Sequence, residues 1–158
     1  MSEKYTKRLP EELNEQVKRL NREGGDFQME HKNLKAVDNF KKGYELIPEP
    51  KDQWMYTSVL LANISENYFL KAFFRSKSKE ESEKYYLLSL EHLMEFMKNP
   101  RQIEAVHNHL RIGQIWYELG NFDNAKEELM RVYLAEGKDG FKGLNTKYYD
   151  LIKNEIEK

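Results

Sequence analysis

The chain has 158 residues, enough for one globular domain that buries roughly two thirds of its unfolded surface. A formal net charge of −1 supplies no basic field for nucleic acid or an anionic membrane, and the absence of cysteine excludes disulfides, thiolate zinc sites and cysteine nucleophiles. No secretory signal and no apolar stretch of bilayer length is visible, so the sequence predicts a cytoplasmic protein.

The first predicted helix begins at Leu9-Pro10-Glu11-Glu12, where proline suits the first turn and the acids favour the positive end of the helix dipole. Because each glycine costs about 1 kcal/mol inside a helix, we expect the pair Gly24-Gly25 to end it. A helix that runs on to about His31 is the alternative, because Gly24 stands where Gly113 stands in a clearer pattern later in the chain.

The second predicted helix runs from about Asn33 to Leu46, with small and large residues alternating at Ala36 and Phe40. Pro48 and Pro50 stop it, because proline removes a backbone donor and clashes with the preceding turn.

The third and fourth helices are predicted from about Asp52 to Arg75 and from Glu80 to Lys98, joined by a turn at residues 76–78. Ala62 is the expected small residue at their closest approach. Asn99-Pro100 closes this pair of helices.

The stretch from Leu110 to Gly137 carries the strongest pattern, two short helices joined by a tight turn. Gly113 and Ala125 remove side-chain bulk where the two backbones approach each other, and larger residues fill the space around them. We expect Gly120 to end the first of these helices in the left-handed conformation that glycine tolerates best. The positions that carry the pattern are Gly113, Trp116, Gly120, Phe122, Ala125 and Leu129.

A last helix is predicted from about Thr146 to Glu157, after a glycine-rich loop. No strand-like alternation appears, so the sequence predicts an all-α fold of seven helices.

The spacing in this strongest stretch resembles the tetratricopeptide (TPR) repeat, a unit of about 34 residues made of two antiparallel helices. The resemblance implies one domain, residues 1–158, folded as a short right-handed TPR-like α-solenoid of about three helical hairpins plus a C-terminal capping helix. The expected hairpins span about residues 10–50, 52–100 and 104–137, and the capping helix about 146–157. In the earlier hairpins the repeat positions are Ala36, Phe40, Pro48 and Ala62.

Two departures from a regular repeat stand out. The middle hairpin has about 15 extra residues, which we expect to lengthen both of its helices by about two turns. About eight further residues between Gly24 and Leu34 are expected to reshape any groove.

Four segments resemble a narrower group, small bacterial TPR proteins encoded beside polymorphic or contact-dependent toxins and taken to be their immunity proteins. The segments are LPEEL, YELIPEPKDQW, the NP that precedes HNHLRIGQIWYELG, and YLAEGKDGFKGLNTKYYDLI. This resemblance implies a non-enzymatic protein that binds and neutralises a cognate toxin. A general adaptor or regulator that binds a peptide segment of a partner is the alternative.

In a TPR array the first helix of each hairpin lines the concave face, where a partner protein binds. Amide and tyrosine side chains suit such contacts, although every surface helix also needs a polar side. The register predicts six residues on this face: Asn63, Glu66, Asn67, His107, Gln114 and Tyr117.

Catalytic, metal and cofactor sites are not predicted. His107 and His109 point about 200° apart on a helix and cannot share a metal, and neighbouring carboxylates diverge on helix surfaces. Arg101 and His107 fit the loose Arg-x5-His pattern of the HEPN ribonucleases, a remote alternative. The basic cluster Arg75-Ser-Lys77-Ser-Lys79 either stabilises a helix C-terminus or contacts phosphate or an acidic partner.

Overall fold

The computed structural model describes residues 4–157, which form eight α-helices, two short 3-10 helices and no strand. The predicted all-α class is confirmed; the seven predicted helices omit only the four-residue α5. The 3-10 helices are Lys51–Gln53 and Gly137–Phe141. The α-helices are α1 (Glu11–Met29), α2 (Asn33–Leu46), α3 (Met55–Arg75), α4 (Lys79–Phe96), α5 (Pro100–Ile103), α6 (Val106–Glu118), α7 (Phe122–Glu136) and α8 (Lys147–Ile156).

The chain divides into two compact units, Met1–Pro100 and Arg101–Lys158. In the first unit, successive helices from α1 to α4 pack on one another around an apolar core that includes Phe40, Leu60 and Ile64. The second unit packs α7 against α6 and α8, and its core contains Ala125, Leu129, Val132, Phe141, Tyr148 and Ile152. None of the helices between residues 4 and 157 is both long and apolar enough to cross a bilayer.

Helix α1 does not end at Gly24-Gly25, so that prediction is wrong. Gly24 is buried inside the helix, and a Cβ placed on it would lie 2.5 Å from Cε1 of Phe40. The missing side chain therefore lets α2 approach α1 closely. Tertiary packing outweighs the poor helix propensity of glycine at this position.

The true end of α1 is a Schellman motif, in which two backbone bonds close the last turn. The N–H of Lys32 donates to the carbonyl of Phe27 at 2.8 Å, and that of His31 to Gln28 at 2.9 Å. His31 has a φ of 62° and takes the left-handed position that glycine usually fills.

The second unit repeats this arrangement between α6 and α7. A Cβ on Gly113 would lie 2.7 Å from Cδ2 of Leu129. Gly120 has a φ of 80°, as the sequence predicts, and it also closes a Schellman motif, in which Asn121 donates to the carbonyl of Trp116 at 2.9 Å.

The α1–α2 and α6–α7 pairs share one spacing. In each pair a glycine is followed 12 positions later by a fully buried alanine and 16 positions later by the large residue that covers the glycine. The expected insertion of about eight residues between Gly24 and Leu34 is therefore wrong, because the glycine and the alanine are equally far apart in the two pairs. The matching positions are Gly24, Ala36 and Phe40 in one pair and Gly113, Ala125 and Leu129 in the other.

Helices α3 and α4, with 21 and 18 residues, are longer than α6 and α7, with 13 and 15. A buried polar contact between α3 and α4 is made by Ser65 and Ser89, whose hydroxyls each donate to the other residue's carbonyl at 2.8 Å. Ala62, the small residue expected there, is partly exposed. Two serines satisfy their own polar groups while keeping the helices close.

An extended N-terminal segment, missed by sequence analysis, packs along the start of α3. Lys7 and Trp54 form an isolated parallel β-bridge, and the amide of Tyr5 donates to the carbonyl of Asp52 at 2.7 Å. Tyr5 and Leu9 are buried, so this segment adds apolar area to the first unit.

Candidate interaction surface

A network of amide side chains links α1, α2 and α3 in the first unit. Asn63 donates to Asn21 at 2.8 Å, and Asn67 donates both to Gln28 at 2.8 Å and to the carbonyl of Asn63 at 2.9 Å. Asn33, at the start of α2, donates to Oδ1 of Asn67 at 3.0 Å. Buried amides need such partners, because an unpaired one loses its bonds to water without replacement.

Because of this network, a partner cannot reach all three of the α3 residues that the sequence predicts on the binding face. Asn67 has no exposed surface and directs its amide groups into the protein. Asn63 is half-buried and holds Asn21, and Glu66 is half-buried with interactions of its own. Of the three residues predicted on this helix, Asn63 and Glu66 reach solvent and Asn67 does not.

The α6 residues of the predicted face also differ in exposure. His107 is exposed, whereas Gln114 is only 8 % exposed. Tyr117 is half-buried and packs edge-on against Phe122 at 5.1 Å and Tyr148 at 5.3 Å between ring centroids. The ring of Tyr117 therefore serves the packing of α6 against α7 and α8, and only its remaining surface is open to a partner.

An apolar stripe on α3 was not among the predicted positions. Met55, Val59 and Phe73 are exposed to 44 %, 42 % and 39 %, and helical spacing places them on the same side as Glu66. The sequence signal was present as a stripe of apolar residues at helical spacing. It could not be separated from the core face, because α3 carries apolar residues on several sides.

His109 is held by two acceptors. Its Nδ1 lies 2.6 Å from Oε2 of Glu128, and its Nε2 lies 2.7 Å from the carbonyl oxygen of Ile103. A carboxylate and a carbonyl can only accept, so the ring makes both bonds when both nitrogens carry hydrogen. The side chain joins α6 to α7 and α5 and has no nitrogen left for a ligand.

The residues of the remote nuclease pattern lie at the start of the second unit. Arg101 is exposed in α5, with interactions of its own, and His107 is exposed in the first turn of α6. Across the described part of the chain, no three histidine, aspartate or glutamate side chains converge as a metal site would require.

A cationic cavity of about 300 Å3 lies between the start of α2 and the end of α3. It is lined by His31, Lys32, Asn33, Leu34, Lys35, Lys71 and Arg75. The cavity joins Arg75, from the predicted basic cluster, to cations that the sequence places about 40 residues earlier. Folding alone brings these two groups together.

Carboxylates beside this cavity are held ionised. The backbone N–H of Lys77 and then the ammonium of Lys71 lower the pKa of Glu81 below its ordinary value. The pKa of Glu30 is lowered by its hydrogen bond and charge interaction with Lys32. Both carboxylates neutralise part of the local positive charge.

A second cavity of about 340 Å3 is formed by the tail of the second unit, where Phe141 and Tyr149 pack edge-on at 5.5 Å and Lys138 lies over the Tyr149 ring. Its charged lining is mixed, with Lys138, Lys142 and Lys153 against Asp139 and Asp150.

No protein-family model, no curated protein and no solved structure matches this chain.

Proposed function

We propose that this chain is a TPR-like helical-repeat protein that works by binding another protein. The observation that supports it is the repeated spacing of the α1–α2 and α6–α7 pairs, in which glycine, alanine and a large apolar residue recur at the same offsets. Repeated hairpins of this kind are built for stacking and leave long helix faces exposed.

The contact surface we propose is the exposed side of α3. Met55, Val59 and Phe73 supply apolar area there, and Glu66 adds an acidic group among them. An apolar stripe with a polar group at its centre is suited to a protein partner, because apolar burial gives affinity and the charge fixes orientation.

The specific form of the proposal is an immunity protein that binds a toxin encoded beside it and blocks the toxin's active site or activation. The segments that resemble bacterial immunity proteins support this form, and the protein would act in the cytoplasm of the cell that makes it. A preformed helical surface lowers the ordering cost of association.

The test is co-expression with the toxin domain encoded by the neighbouring gene. We expect growth to be rescued and a stable complex to purify. Val59→Arg should weaken both readouts, because it places a charge in the proposed interface, whereas Leu134→Arg, at a residue of α7 that is 78 % exposed, should leave them unchanged. Failure of wild-type protein in both readouts would remove the immunity proposal.

A general adaptor would instead retain several unrelated proteins from a lysate, and the same Val59→Arg variant should release them. RNA degradation by the pure protein that disappears in His107→Ala would contradict the non-enzymatic proposal altogether.

A further inference from the structure

The first turn of α2 presents unused backbone donors to the cationic cavity. Lys32, the N-cap residue, makes no side-chain capping bond, and the first turn contains no acidic residue. No group within residues 4–157 accepts a hydrogen bond from the N–H of Asn33, Leu34 or Lys35. Free N–H groups and the helix dipole together favour an anion at this position.

Two cations in the cavity form no salt bridge. Lys35 and Arg75 have no carboxylate within 4.0 Å in the described part of the chain; Lys35 lies over the ring of Phe27 and interacts with Glu30 only at longer range. Lys32 and Lys71 are paired with Glu30 and Glu81. The two cations without a salt bridge thus come from different helices and line the same cavity.

Asn33, which also lines the cavity, has an unused hydrogen-bond acceptor. The residue is 4 % exposed, and its Oδ1 has no hydrogen-bond donor among the described residues. The oxygen and nitrogen of the Asn33 side-chain amide cannot be exchanged to remove this unpaired acceptor. With the Asn67 amide reversed, Oδ1 of Asn67 would lie 2.9 Å from the backbone carbonyl oxygen of Asn63, and two acceptors would face each other. Nδ2 of Asn67 therefore faces that carbonyl, and Oδ1 of Asn67 accepts from Nδ2 of Asn33.

We propose that this cavity binds a phosphate group that carries a proton. Its anionic oxygens accept from the first-turn N–H groups and from Arg75 and Lys35, and its hydroxyl donates to Oδ1 of Asn33. Sulfate has the same shape and charge but no proton at neutral pH, so it leaves Oδ1 unpaired. The site does not depend on the proposed protein-binding function.

The first experiment is titration of the full chain with sodium phosphate and with sodium sulfate at neutral pH and low ionic strength, followed by calorimetry and by backbone amide NMR shifts. Phosphate should bind at least about tenfold more tightly than sulfate and shift the amides of residues 33–35. Equal binding of the two anions, no binding at millimolar phosphate, or shifts confined to other residues would overturn the proposal.

Variants locate the site without disturbing the core. Arg75→Ala, at an exposed residue, should weaken phosphate binding by about fivefold or more, whereas Lys42→Ala, which removes an exposed charge further along α2, should change it by less than about twofold. Equal effects of the two variants would show a general charge effect and overturn the assignment.

A phosphate monoester tests the same contact and distinguishes the two sources of the group. At neutral pH a monoester is mainly a dianion without a proton, so glycerol phosphate should bind about as weakly as sulfate, and the ligand is the free ion. Equal binding of glycerol phosphate and inorganic phosphate would overturn the assignment of Asn33 as the acceptor.

Discussion

Gly24 lies directly beneath the ring of Phe40, so close that a single added methyl carbon would sit 2.5 Å from Cε1. The contact joins the middle of α1 to the middle of α2, and both residues are buried. Because the Phe40 side chain of α2 packs directly against the backbone of α1 at Gly24, this pair sets the distance between the two helices.

Replacing Gly24 with alanine should therefore destabilise the protein. We expect a loss of about 1–3 kcal/mol in the free energy of unfolding from forced repacking around Phe40. Urea unfolding followed by circular dichroism measures this change.

Gly25 provides a matched control one residue later. A Cβ placed on it meets nothing within 4 Å, so Gly25→Ala should raise helix propensity and stabilise the protein by up to about 1 kcal/mol. The explanation by close packing fails if both variants move the unfolding free energy in the same direction.

Asn67→Ala should cost about 2–4 kcal/mol of unfolding free energy, because it leaves the amides of Asn33 and Gln28 without their partner in the buried network. Asn63→Ala, which removes one side-chain bond from a half-buried residue, should cost only about 1 kcal/mol. Equal losses in the two variants would show that the network does not depend on Asn67 in particular.

The stability contributed by Glu81 should depend on pH in the acid range. Its pKa is lowered in the folded state, first by the Lys77 N–H and then by Lys71, so its contribution is complete above the ordinary glutamate pKa and is lost as pH falls through the lowered value. Glu81→Gln should lower the urea midpoint at pH 7, and the difference from wild type should shrink as the pH falls through the lowered pKa of Glu81.

The control for this experiment is Glu80→Gln, which removes a carboxylate from the same helix turn but none of the bonds from Lys71 or Lys77. Both variants change the helix-dipole interaction alike. A larger loss of urea midpoint in Glu81→Gln than in Glu80→Gln therefore measures the contacts of Glu81 with Lys71 and Lys77. If the two variants show the same dependence of the midpoint on pH, these contacts do not stabilise the protein.

Helix α8 should be released by Glu118→Ala. The carboxylate of Glu118 accepts from the hydroxyl of Tyr148 at 2.8 Å and pairs with Lys147, and Tyr148 is almost fully buried. Loss of both contacts should weaken α8 docking by about 1–3 kcal/mol. Hydrogen exchange should become faster in α8 but not in α6, and Glu127→Ala, an exposed carboxylate of α7, should leave both unchanged.

Much of the helix pattern was predictable from local chemistry. Asn33–Leu46 has the predicted bounds, because two prolines and an apolar stripe define its end and its buried side. The left-handed Gly120 was likewise predictable, since the turn requires a residue without a Cβ penalty.

The residues exposed on the candidate surface were harder to predict from the sequence. Asn67 and Glu66 are neighbours on a helix with similar polarity, yet one is fully buried and the other half-exposed. Periodicity shows that a polar residue lies on a given side of a helix. It does not show whether another helix supplies amide partners that cover it.

The amino-acid sequence by itself determined the helices, their turns and the recurrence of small residues, because these follow from backbone sterics and from side-chain period. Only the tertiary structure decided that α1 continues through Gly24, that Ser65 and Ser89 join α3 to α4, and that Arg75 meets the start of α2. Each of these depends on residues far apart in the chain, whose mutual distance is fixed when the helices pack and not before.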